Sequence, residues 1–274
     1  MRKGDQFWAS ERDNLYDLYW NEKNTIAQIA NIYGCYPKTI SEQFKKLSIK
    51  IRNSAEDRYN CKHACNIHFF DNIDSEESAY ILGFILADGH VSKQGSLMIS
   101  LNRNDVDVLK KINNSLDSNY PITENNSGKY VSLVISSRYL TNKLNEIGLA
   151  HDKTYSLDFN KVLSNVPSNL TMHFVRGMFD GDGSISIYEY SYFKKHSYHF
   201  GYTGKYDVCR FISELFGLNT KMVDEGNGIY TCVSSNHKTI LSALHAMYDE
   251  ASIYMDRKKK VFDEIERICK IEHA

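Results

Sequence analysis

The chain has 274 residues, with 33 Lys and Arg against 34 Asp and Glu, a formal net charge of −1. That length holds two or three domains, and 42% hydrophobic with 24% charged residues is the balance of a folded globular protein. No apolar run approaches a membrane span, the start Met1-Arg-Lys-Gly-Asp5 lacks an apolar signal core, and six cysteines fall without a regular framework. These features exclude a membrane protein and a secreted disulfide scaffold, and predict an intracellular protein, cytoplasmic, organellar or phage-encoded. The charge is uneven: residues 1–70 lean basic and the remainder leans acidic. A nucleic-acid binder needs a basic surface, not a basic total, so the composition permits that class without announcing it.

Residues 1–52 read as a small all-α domain of three helices. Ser10 is expected to cap a first helix running to Tyr19, and Asn24-Thr25 to start a second with Ile26, Ile29, Ala30 and Tyr33 on its apolar face. Gly34 breaks that helix, and Pro37 suits the first turn of a third, which buries Ile40, Phe44 and Leu47. Ala30, Gly34 and Ile40 have the spacing of a helix-turn-helix. On that reading Tyr36, Lys38, Thr39 and Gln43 lie nearest the bases of bound DNA; the alternative is a three-helix bundle with no DNA contact. Residues 53–74 are polar and aperiodic, a linker whose Phe69 and Phe70 dock on the core of the next domain. The run Cys61, His63, Cys65, His68 is too compressed for the usual zinc ligand spacing.

Two stretches organise the rest: Ile81-Leu-Gly-Phe-Ile-Leu-Ala-Asp-Gly89 and Val175-Arg-Gly-Met-Phe-Asp-Gly-Asp-Gly183. Each is an apolar run ending in Asp-Gly, and the two lie about one small domain apart, which predicts two copies of one unit. Small residues recur every fourth position, at Ala79, Gly83 and Ala87 and again at Gly177 and Gly181. On a helix they form a smooth face that lets two backbones approach, and the closing glycine suits a left-handed helix end. Asp88 and Asp182 then sit at the negative end of a helix dipole, a penalty of roughly 0.3–1 kcal/mol each. Its repetition in both copies suggests a bound cation, and paired carboxylates suit Mg²⁺ or Ca²⁺.

After Gly89 the first copy continues with a strand at Ser96–Leu101, a helix begun by Asp105, a strand at Lys129–Ser136 and a helix from Arg138 to Ile147. The second repeats that order: strands at Ser184–Tyr188 and Tyr198–Tyr202, a helix at Tyr206–Phe216, a strand at Gly228–Ser234 and a helix at Lys238–Tyr248. The fold class is therefore α+β, two pseudo-symmetric αββαββα units at 75–165 and 166–274 packed through their motif helices.

The two runs resemble the LAGLIDADG motif of homing endonucleases in its double-motif, monomeric form, over about Ser75 to Lys260. That resemblance implies a monomer whose sheets form a saddle on a long asymmetric double-stranded DNA target. The residues placed to reach DNA are Lys93, Arg103, Lys129, Arg138, Lys194, Lys195 and His196, besides Lys38, Thr39 and Gln43. It implies Mg²⁺, with Ca²⁺ or Mn²⁺ able to substitute, held by Asp88 and Asp182 and by the carbonyls of Ala87 and Gly181. It also implies a lysine late in each unit near the scissile phosphate, matched here by Lys153 and Lys258. Paired metal sites clamp an in-line displacement at phosphorus. One departure is expected to slow the first site: Leu86 stands where the second motif has Asp180, and cannot hold nearby water. The competing readings are a DNA-binding regulator on an inactive scaffold and an RNA maturase for intron splicing. Protein splicing is not expected, since Met1 and His273-Ala274 do not supply its nucleophile and His-Asn ending.

Overall fold

The computed structural model describes residues 4–22, 24–52, 63–125, 127–149, 157–190, 195–218 and 222–272. The chain forms two compact units, residues 1–64 and 65–274. Residues 65–74, expected as the end of a linker, belong to the second, where Phe70 and Ile73 are buried in the core.

The first unit is helical: α1 (Asp5–Ser10), α2 (Arg12–Tyr16) running into a π-helical stretch (Asp17–Asn21), α3 (Ile26–Ile32) and α4 (Pro37–Lys46). The chain is helical before Ser10, because Trp8 must be presented to the core; Ser10 therefore does not cap, and its hydroxyl donates to the Phe7 carbonyl at 2.8 Å. Thr25 begins α3 through a capping box with Gln28. Gly34 takes φ +63° in the turn between α3 and α4, and Pro37 opens α4. Trp8, Leu15, Ile29, Ala30, Ile40 and Phe44 fill the centre. Gln43 shares the inward stripe of α4 with Ile40 and Phe44 and is only 7% exposed. It is buried, contrary to the expectation of an exposed position from its polarity.

The second unit repeats one topology. The first copy is α5 (Glu76–Asp88), β1 (Gly89–Val91), β2 (Ser96–Asn102), α6 (Val106–Ser115), β3 (Ile122–Glu124), β4 (Tyr130–Ser136) and α7 (Arg138–Ile147). A short helix α8 (Phe159–Ser164) precedes α9 (Thr171–Asp182), β5 (Gly183–Tyr190), β6 (Lys195–Lys205), α10 (Tyr206–Phe216), β7 (Val223–Gly226), β8 (Ile229–Ser234), α11 (His237–Tyr248) and α12 (Asp256–Glu272). The antiparallel sheets have matching orders, β1-β2-β4-β3 and β5-β6-β8-β7. In β2, Leu97, Ile99 and Leu101 point to the core and Met98, Ser100 and Asn102 away from it, the alternation a half-buried strand requires.

Helices α5 and α9 join the copies. Nearly every residue from Ser78 to Leu86 and from Phe174 to Asp180 is buried. A Cβ added to Gly83 would lie 2.0 Å from the Phe174 carbonyl oxygen, and one added to Gly177 would lie 2.0 Å from that of Tyr80. The two backbones therefore touch at reciprocal glycines. The closing glycines are not left-handed as expected: Gly89 and Gly183 have φ −77° and −79° with extended ψ. Each helix passes directly into a strand, and the glycine is needed for space. A Cβ on Gly183 would meet the Phe179 ring at 2.1 Å.

Gly83→Ala or Gly177→Ala is expected to force the helices apart and destabilise the protein by roughly 1–3 kcal/mol or more, despite the gain of about 1 kcal/mol in helix propensity. Urea unfolding measures this; an unchanged midpoint in both variants would contradict the contact.

Candidate active site

Asp88 and Asp182 are the last residues of α5 and α9, half-buried and exposed respectively. A Cβ built on Gly181 would lie 2.3 Å from the Ala87 Cβ and 3.1 Å from Asp88 Oδ2. The Asp88 carboxylate thus leans on the residue preceding Asp182, in a cradle that any side chain at 181 would fill. Both charges act on one neighbour: burial first, then Asp182, Cys209, Cys232 and Asp88, push the Tyr202 hydroxyl well above its usual pKa. Two carboxylates and two helix C-termini make a site of negative potential built from hard oxygen donors. Among the described residues no three His, Cys, Asp or Glu side chains gather as a metal cage. A cation held here would complete its shell from carbonyls, water or phosphate, which suits Mg²⁺.

Lys258, in the first turn of α12, is 2% exposed. Its ammonium donates to the carbonyls of Phe179, of Asp180 at 2.9 Å and of Gly183 at 2.6 Å, the acceptors that flank Gly181. It neutralises the end of the second motif helix from within the protein. Burial lowers its pKa to about 8, against the attraction of Asp180, Asp88 and Asp182. Lys153 lies outside the described residues.

Asp180 is fully buried and does not face site water, which corrects the reading of its pairing with Leu86. It accepts from the Tyr80 hydroxyl at 2.8 Å, the Tyr248 hydroxyl and the Met255 N–H at 2.7 Å. Burial raises its pKa in spite of Lys258 and these donors. Neither Asp180 nor Arg176 and Glu76, which pair nearby at 2.6 Å, stood out as a group in the sequence. Their partners come from elements 68 to 100 residues away in sequence.

The basic residues expected on DNA are scattered. Lys38 is exposed and Thr39 half-buried on α4; Lys93, Lys129 and Arg138 are exposed at strand and helix ends. Arg103 pairs with Glu124 at 2.9 Å, and His196 is half-buried. Lys194 lies outside the described residues; Lys195 opens β6 opposite Tyr190. The outward sheet faces carry hydroxyl and methyl groups instead: Met98 opposite Val134 and Ser100 opposite Ser132 in one sheet, Thr203 opposite Thr231 and the exposed Val233 in the other. Strand alternation carried that signal, but the choice of basic residues passed over it.

Residues 75–148 match the family model described as LAGLIDADG-like domain. That match spans the first copy. The second copy, built on the same element order, extends the likeness to solved double-motif structures. The I-LtrWI LAGLIDADG homing endonuclease bound to target DNA is 16% identical, covering 76% of this chain and 92% of its own, with a TM-score of 0.51. The LAGLIDADG meganuclease I-CpaMI bound to uncleaved DNA is 14% identical, covering 71% and 92%, also at 0.51. I-AabMI bound to uncleaved DNA is 15% identical, covering 70% and 91%, at 0.50. These likenesses establish the two-unit α+β fold. No curated protein matches the chain.

Lys258 gives stability a defined pH dependence. Unfolded, it titrates near 10.5; folded, at about 8. Between those values the unfolded chain binds the extra proton, so this residue makes stability rise with pH, by roughly 3 kcal/mol over the window. The stability difference between wild type and Lys258→Met is expected to shift in favour of wild type from pH 7 to 9.5 in urea unfolding. A pH-independent difference would contradict the burial of a charged ammonium.

Proposed function

We propose that the chain is a site-specific double-strand DNA endonuclease, using Mg²⁺ and recognising a long asymmetric target. The single observation that carries this is the approach of the Asp88 carboxylate to Gly181, beside Asp182. It supports a reading in which both motif helices deliver an acid to the centre of one cleavage site, as the likeness to DNA-bound LAGLIDADG endonucleases suggests. Asp88 and Asp182 would hold the metal with the carbonyls of Ala87 and Gly181, serving one DNA strand each. Bound there, a divalent cation supplies an activated water and neutralises charge developing on the phosphate and leaving oxygen. Asp88 and Asp182 fix its position, and Gly181 keeps the approach open. Lys258 acts through the end of α9, and Lys153 is its proposed counterpart in the first copy. The outward faces of the two sheets are the proposed major-groove surface. The hydroxyls of Ser100, Ser132, Thr203 and Thr231 suit hydrogen bonding to base edges, and Met98, Val134 and Val233 suit thymine methyl groups. Lys93, Arg103, Lys129, Arg138 and His196 are the proposed phosphate contacts at the rims, and Lys194 and Lys195 remain proposed contacts from the resemblance alone. Tyr36, Lys38 and Thr39 of the first unit form a further proposed contact, and Lys38→Ala is expected to weaken binding uniformly and reduce its salt slope by about 1.

The test is cleavage of a randomised-target DNA library and of the DNA flanking the coding sequence, with Mg²⁺ or with EDTA. Wild type is expected to make double-strand breaks at one sequence only with metal. Asp88→Asn and Asp182→Asn are expected to lose on the order of 10²–10³-fold in rate, the scale of one lost electrostatic contact to a transition state, while retaining DNA affinity. Specific DNA binding without cutting would instead support a regulator on an inactive scaffold. Binding confined to structured RNA would support a maturase.

A further inference from the structure

The buried charges of α9 form a second polar system beside the acids. Arg176 and Asp180 stand one turn apart, 1% and 0% exposed. Arg176 donates to the carbonyls of Ile253 at 2.9 Å and Met247 at 2.7 Å, and pairs with Glu76 of α5 at 2.6 Å. Glu76 also accepts the N–H groups of Ser252 at 2.7 Å and Ile253 at 3.2 Å. Asp180 accepts the N–H of Met255 at 2.7 Å and the hydroxyls of Tyr80 and Tyr248. The connection between α11 and α12 is therefore held at its backbone by three charges from outside it. It ends where α12 starts. There the first copy adds two acids: Asp107 accepts the Asp256 N–H at 3.1 Å, and Asp105 accepts from Arg257 at 2.9 Å. Lys258 lies in the same turn.

Burying charges is costly, and apolar residues of similar size pack a helix interface at least as well. The first copy does so, with Leu82 and Leu86 at the positions matching Arg176 and Asp180, both buried. Close packing of α5 and α9 thus does not call for ions on α9. What the ions add is a fixed path for residues 249–255 and a fixed start for α12.

We infer that Arg176 and Asp180, with Glu76, are positioning residues that lock this connection and thereby hold the Lys258 ammonium on the end of the second motif helix. The clamp acts on the end of the second motif helix, and losing it is expected to disturb that half of the cleavage site more than the other. The consequence for cutting rests on the endonuclease reading; the clamp itself does not.

Two readouts test it on the full-length protein. Reductive methylation followed by mass spectrometry reports the accessibility of Lys258 beside the exposed Lys260 and Lys270. In wild type Lys258 is expected to react at least tenfold more slowly than those two, and in Asp180→Asn and Arg176→Gln at least tenfold faster than in wild type. Near-UV circular dichroism checks that the variants are folded. Tyr248→Phe, which removes one hydroxyl from Asp180, is a milder variant expected to shift reactivity in the same direction. On duplexes labelled separately on each strand, the ratio of strand-cutting rates is expected to change at least tenfold in the clamp variants and to stay unchanged in Leu82→Met. Lys258 protected in all three clamp variants would overturn the inference, as would strand rates that fall in parallel. A wild type that does not cut, with Lys258 released in the variants, would reject the endonuclease reading and uphold the clamp.

Discussion

The contact of two helix backbones at Gly83 and Gly177 is the constraint on which the rest of the second unit depends. Each glycine faces a carbonyl of the opposite helix with no room for a methyl group. Such an approach admits one register, and that register sets everything one and a half turns further on. Ala87 meets Gly181, and Asp88 comes to rest beside the residue before Asp182. Slipping either helix by a turn would separate the acids and drive side chains into the opposing backbone. Position here follows from packing, and the acids inherit it.

Electrostatics alone would scatter these groups. Two carboxylates and two helix C-termini collect at one end, each unfavourable to the others. Three features offset this. Dense apolar burial along both helices contributes roughly 1.5–3 kcal/mol for each large side chain, more than the dipole penalty. Lys258 supplies a positive charge to the carbonyls at the end of α9 from inside the protein. A divalent cation at the acids would supply the remainder, and the proposed chemistry uses that same charge. The exposure of Asp182 and the burial of Lys258 place one group on the solvent side and the other on the protein side.

Much of this was legible in the residue pattern because it is local or periodic. The four-residue spacing of Ala79, Gly83 and Ala87 announced the helix contact, and alternation in Ser96–Leu101 and Lys129–Ser136 announced the strands. What escaped was short or depended on partners distant in the chain. β1, β3 and β7 are edge strands of three or four residues, too brief for a period-two signal. Asp-Gly at 88–89 and 182–183 read as a left-handed stop, since that is its commonest use; here the helix runs straight into a strand and the glycine avoids Ile85 or Phe179. Gln43 looked like a surface reader because it is polar, yet its position three residues after Ile40 turns it inward. Asp180 looked like a site acid because of its neighbour Asp182, yet two residues along a helix is about half a turn, so it faces the opposite side. Lys258 was found through the repeat, but nothing local indicated that its ammonium would be buried on carbonyls.

The most direct measurement is iron-mediated cleavage of the protein itself. Fe²⁺ occupies oxygen-ligand sites of this kind, and with ascorbate and peroxide it cuts backbone within reach of the bound ion; fragments are mapped by mass spectrometry and competed with Mg²⁺. If α5 and α9 bring their acids to a shared cation site, cuts appear near both residue 88 and residue 182, fade together as Mg²⁺ is added, and are weakened at both places by Asp88→Asn alone. Cuts at only one helix end, or cuts at the two ends that compete with Mg²⁺ independently, would contradict a site assembled by the contact of the two helices.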